Sequence, residues 1–235
     1  MPSTRPGKSL AAWLDWADND FPGESVRMMI RDGLVTVKDD GGKALDGGRL
    51  SSIMREFPPG KGRNRYGEVL TGALASVSRR LSCAKRGEDE SDDNFIRRKK
   101  HLERKKGDLN HLLRFFAALM EHSPEKDDTH GIFLEKASWF LSYAMTGAED
   151  IRDRRSGSII LHNYAQQILN AGINDLRDFS LTQSFPLSFD PSAYLKSLAL
   201  DSAVQGLGPR PGAIYVSGIG NGGHSGRKHT FLVGM

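Results

Sequence analysis

The sequence predicts a mainly α-helical fold: one helical core with a small N-terminal α/β element and a C-terminal β-hairpin or flexible Gly-rich tail. Three observations carry this. Phe95, Leu102, Leu109 and Phe116 recur every seven residues across Asn94–His122, with Leu113 and Met120 joining them, as on a helix with one face toward a core. Further segments repeat apolar residues three and four apart and end at Gly or Pro. The last thirty residues change character, with short β-prone runs set among glycines. Composition divides the chain into 1–60, the small α/β segment; 61–204, the helical core with a basic face; and 205–235, a Gly/Pro-rich basic tail or hairpin.

In chain order, Ser9 is placed to cap a helix over Leu10–Asp18, with Leu10, Trp13, Leu14 and Ala17 on one face and Trp16 off it. Phe21-Pro22-Gly23 breaks the chain. A short helix follows over Glu24–Arg31, with Gly33 as its C-cap. Leu34–Val37 reads as a strand and Asp39–Gly42 as a tight turn. Ser25, Ile30, Gly33, Val35 and Val37 are similar to the helix–Gly–strand core of S4-type RNA-binding modules. That resemblance implies RNA contact by basic residues near the turn. Arg27 and Arg31 fit it, Asp32 and Asp39-Asp40 depart from it, and it covers only this short segment.

Residues 56–66 form a loop, because two prolines and two glycines forbid regular structure. Lys61, Arg63 and Arg65 alternate there with small residues ahead of Tyr66, a pattern suited to phosphate contacts and base stacking. Tyr66–Ala84 is a helix with Arg79, Arg80, Lys85 and Arg86 at its C-terminal end, where cations complement the dipole. The acidic run Glu88–Asp93 precedes the long helix, whose first half carries Arg97, Arg98, Lys99, Lys100, Arg104, Lys105 and Lys106. Gly131–Ala144 is apolar enough for a buried central helix. Ile159–Ala171 is another helix, stopped by Gly172; Asp175–Phe179 adds a turn; Ser192–Leu200 is the last helix.

The tail holds strands over 213–217 and 229–233, joined by a glycine-rich loop carrying Arg227 and Lys228. Gly218-x-Gly220-x-x-Gly223 matches a dinucleotide fingerprint on paper. The twelve residues left after Gly223 cannot supply the helix and second strand that fingerprint needs. A P-loop fails for want of Gly-Lys-Ser/Thr adjacency, so no cofactor is expected. The seven histidines show no zinc-binding spacing.

The net charge of +4 is uneven. Residues 61–106 hold fourteen Lys/Arg against seven Asp/Glu, and 205–235 hold three against none. A localised basic surface is the electrostatic footprint of a nucleic-acid binder. The expected function is therefore non-sequence-specific phosphate binding, RNA before DNA, through Lys61, Arg63, Arg65, Arg79, Arg80, Arg97, Arg98, Lys99, Lys100, Arg104, Lys105 and Lys106, with Arg227 and Lys228 auxiliary. Such a protein suits a viral nucleocapsid, matrix or RNA-masking role. The alternatives are a matrix-type assembly protein that self-associates on acidic membranes and a hydrolase pairing Cys83 with His224 or His229. No catalytic signature surrounds Cys83, so an enzyme is not expected. No apolar run reaches the ~20 residues of a membrane span, and MPSTRPGKSL lacks a signal-peptide core. One cysteine permits no internal disulfide and points to an intracellular location, cytoplasm or nucleus, or to virions.

Overall fold

The computed structural model describes residues 4–86, 91–150, 156–182 and 189–201, which fall within one unit spanning 1–202. Among them are eight α-helices: α1 (Arg5–Asp18), α2 (Gly23–Arg31), α3 (Gly47–Glu56), α4 (Arg65–Ser82), α5 (Asp92–Glu121), α6 (His130–Trp139), α7 (Ser156–Thr182) and α8 (Pro191–Asp201). The mainly helical expectation holds for these residues. The expected C-terminal strands, the glycine-rich loop, Arg227 and Lys228 lie outside them, as does the acidic segment 87–90.

α1 begins earlier than the sequence suggests. Thr4 caps it, its hydroxyl accepting from the Gly7 amide at 3.4 Å. Ser9, expected as the cap, is instead buried inside the helix and donates to the carbonyls of Arg5 and Leu34. α2 ends as Gly33 predicts. Gly33 takes φ +64°, its amide reaches the Ile30 carbonyl at 3.3 Å, and the Leu34 amide reaches that of Met29 at 2.8 Å, a Schellman closure. The segment after it, expected as a strand over Leu34–Val37, is extended but pairs only at single residues. It is held by isolated bridges, Val35 to Met145 and Lys38 to Ala44.

α3 is an element the sequence reading did not mark. Asp46 caps it, accepting from the Arg49 amide at 2.8 Å, and Leu50, Ile53 and Met54 supply a short buried face. It sits against α2 so closely that a Cβ on Gly47 would overlap the Ile30 carbonyl oxygen. The apolar stretch 131–144 is not one helix buried on most sides. α6 passes into a π turn over Phe140–Ala144, and Ile132 and Tyr143 stand 44% and 58% exposed. Gly172 does not stop a helix either. It lies in the middle of α7, where a Cβ would overlap the Leu198 side chain of α8, so glycine permits a close crossing of two helices.

The core is built around α1, which packs on α2, α7 and α8. Trp13 stacks on Phe140 at 4.6 Å. Trp16, which lies off the expected apolar face, is equally buried. Its indole N–H donates to the Tyr66 hydroxyl at 3.1 Å, and that hydroxyl donates to the Phe21 carbonyl at 2.8 Å. Tyr66 is thus 1% exposed, not a loop aromatic open to bases, and burial pushes its phenol pKa up. Its ring meets Phe116 of α5 at 4.7 Å, which ties α1, α4 and α5 together.

His162 is one of the buried polar side chains left unmatched among the described residues, as are the Trp13 indole N–H and the Ser192 hydroxyl. His162 on α7 is 3% exposed, and neither ring nitrogen has a hydrogen-bond partner among the described residues. Burial first, and then the Arg5 charge, push its pKa below the ordinary histidine value, while Glu149 opposes them. The unfolded chain therefore binds the proton more readily. The stability this neutral ring supports is complete above about pH 6.5 and is lost as pH falls below it. In phosphate-free buffer, the melting temperature is expected to decline from pH 7 toward pH 5.5, and His162→Leu to flatten that decline. Equal slopes in the two proteins would contradict the assignment.

Candidate nucleic-acid interface

α4 and α5 form an antiparallel pair. Nine residues connect them, and contacts mark both ends. At one end Arg98 donates to the Lys85 carbonyl at 2.9 Å, and Arg86 pairs with Asp92 at 2.6 Å. At the other, Arg63 bonds to the Met120 carbonyl and, at 3.1 Å, to that of Ser123. In α4 the buried side chains are Tyr66, Leu70, Ala73 and Val77; in α5 they begin only at Asp108. The last turn of α4 and the first half of α5 therefore extend past the core as a two-helix tip. Half-buried Leu81, Phe95 and Leu102 line that tip.

The tip is strongly basic. Residues 78–86 and 91–106 carry eleven Lys/Arg against Asp92, Asp93 and Glu103. Six of the α5 cations fall into three pairs seven residues apart, so each pair shares a side of the helix about 10.5 Å apart along its axis. Arg97 and Arg104 point outward, with Lys100 and His101 inside the same arc of roughly 100°. Lys99 and Lys106 occupy one flank. Arg98 and Lys105 lie on the inner side with Leu102 and Leu109, and there the fold uses them. The Arg98 guanidinium lies 5.6 Å from the Phe95 ring centre. Lys105, whose side chain is 12% exposed, pairs with Glu56 and sits 5.1 Å from the Phe57 ring, joining α5 to α3.

Among the described residues, Arg79, Arg80, Arg97, Lys99, Lys100, Arg104 and Lys106 hold no carboxylate partner, and all but Lys106 are exposed. Ser91 caps α5 through the Asn94 amide at 3.4 Å, and Asp92 and Asp93 sit in its first turn, where the dipole favours acids.

The basic loop 61–65 does not join this tip. Arg63 lies by the C-terminal end of α5, roughly 35 Å along the helix from Arg97. It is occupied by the fold: besides the two carbonyls, it pairs with Glu125 at 2.7 Å and lies 5.5 Å from the Phe21 ring centre. Arg65 pairs with Glu68 at 2.8 Å. Lys61 is exposed there. The predicted residues thus separate into an open tip and a second group in which Arg63 is engaged by the fold, Arg65 is held in a surface ion pair and Lys61 is exposed.

The sequence reading also passed over a surface aromatic stack. His122 lies parallel to Trp139 at 4.1 Å, and Trp139 meets Tyr143 at 4.9 Å. Trp139 and Tyr143 stand four residues apart, the spacing of helix neighbours, so this pair was available in the sequence; His122, on another helix, was not. Glu121, Glu125, Asp127 and Asp128 flank His122 in the chain, so this stack has an acidic neighbourhood and is not part of the basic tip. Cys83 is exposed at the C-cap of α4, 3.9 Å from the Ser82 hydroxyl; His224 and His229, its expected partners, lie outside the described residues. No described helix is long and apolar enough to cross a membrane. No protein-family model, curated protein or solved structure matches this chain.

Proposed function

We propose that this protein binds nucleic acid, RNA in preference to DNA, through non-sequence-specific phosphate contacts made by the α4–α5 tip. The observation that supports this reading is the set of exposed cations without carboxylate partners on two adjoining helices, Arg79 and Arg80 on α4 and Arg97, Lys99, Lys100 and Arg104 on α5. Like charges three or four residues apart on a helix repel by about 0.2–0.5 kcal/mol per pair. A polyanion along the tip relieves that repulsion and releases its own counterions. The outward arc holds Arg, Lys and His, whose charge suits backbone phosphates whatever the sequence. Covering or packaging RNA, as a viral nucleocapsid or RNA-masking protein does, is the setting this chemistry suits.

Binding to single-stranded RNA, duplex DNA and anionic liposomes across a salt series tests the proposal. With five or six phosphate contacts, log affinity for single-stranded RNA is expected to fall against log salt with a slope of about −4. DNA should bind more weakly and liposomes not at all. Liposome binding without RNA binding would replace this reading with the membrane-associated one. No binding to any of the three at low salt would remove both.

A further inference from the structure

The N-terminus of α1 opens into a cleft of about 400 Å³, which α7 also lines. That volume lies in the range of small-molecule sites. Among the described residues its polar lining comes from Thr4, Arg5, Lys8, Asp32, Ser158 and His162. Arg5 and Lys8 hold no carboxylate partner among the described residues. Asp32, the one acid, is engaged by Arg31 at 2.8 Å. The first turn of α1 carries no acidic residue of its own to offset the positive end of its dipole. His162 lines the same cleft, and its two ring nitrogens find no partner among the described residues.

We infer that this cleft binds a phosphate group, free or as a small phosphomonoester, held by Arg5, Lys8 and His162 at the N-terminus of α1. The chemistry of the lining selects the ligand. Arg5 and Lys8 are donors only and carry charge, which matches the non-bridging oxygens of phosphate. A neutral imidazole offers one N–H donor and one acceptor, which matches a phosphate oxygen beside a P–OH or a sugar hydroxyl. His162 is held neutral near pH 7 by its burial. A carboxylate alone would leave the acceptor nitrogen unmatched. This site lies away from the α4–α5 tip and does not depend on the function proposed for it.

The test is a titration of the full chain with inorganic phosphate and, separately, with ribose 5-phosphate, following the His162 ring resonances by NMR. A saturable His162 shift is expected with at least one of them. Lys8→Gln and Arg5→Gln should each weaken it by at least about tenfold. Lys8 is exposed, so Lys8→Gln should leave the melting temperature unchanged. Saturation by phosphate alone identifies a free-anion site; tighter saturation by ribose 5-phosphate identifies a monoester site. No His162 shift up to roughly 20 mM of either ligand, or a shift unchanged in Lys8→Gln and Arg5→Gln, would overturn the inference.

Discussion

Replacing Arg97, Lys100 and Arg104 together with glutamate is expected to lower affinity for single-stranded RNA by at least about a hundredfold at low salt. It should also flatten the salt dependence by about two units of slope, close to 0.7 for each lost phosphate contact. Melting temperature should barely change. The three side chains are exposed, hold no carboxylate partner among the described residues, and repel one another along one face of α5. The control lies one residue away in the chain. Lys105→Glu puts a buried acid against Glu56 and removes the cation from the Phe57 ring, so it should destabilise the fold. Fluorescence anisotropy and thermal melts on the two proteins separate binding from folding. Equal losses of affinity and of stability in both would contradict the distinction between outward and inward cations.

Phe116→Ala should cost about 3–5 kcal/mol of folding stability, read as a lower urea midpoint at unchanged slope. Phe116 is 2% exposed and meets both Tyr66 and Phe115. Its removal opens a cavity where α1, α4 and α5 converge, and the Trp16–Tyr66–Phe21 hydrogen-bond chain beside it cannot collapse into that space without breaking. Because α5 is anchored there, the tip should lose its order along with the core. A cost below 1 kcal/mol would mean that the α4–α5 pair is held elsewhere.

How much of this was legible in the sequence depended on whether a signal was local. The long α5 helix announced itself through its seven-residue apolar recurrence, and Gly33 through its place at a helix end. Gly172 looked like a stop for the same reason and was misread, because only the approach of Leu198 from α8 explains a glycine within α7. Tyr66 looked like an exposed aromatic beside a basic loop; its burial depends on Trp16 and Phe116, which are remote in sequence. α3 escaped notice because Gly47-Gly48 open it, although Asp46 and the Leu50, Ile53, Met54 spacing were available.

The site was legible as a composition and not as a surface. Summed charge grouped loop 61–65 with the α5 run. The short α4–α5 connection, however, forces an antiparallel pair, and that places the loop at the opposite end of α5. The apolar stripe of α5 already puts Arg98 and Lys105 on the inner side and Arg97 and Arg104 on the outer one. The sequence could not show what the inner cations meet, since Glu56 and Phe57 are remote from Lys105 in the chain.

The central claim, that the α4–α5 tip is the polyanion-binding surface, is tested most directly by mapping backbone amide NMR shifts as a short single-stranded RNA is added to the full chain. Saturable shifts are expected, concentrated in 79–86 and 91–106 and fading as salt rises, with α1–α3 unperturbed. Shifts confined to α6–α8 or to the 61–65 loop, with the tip silent, would contradict it.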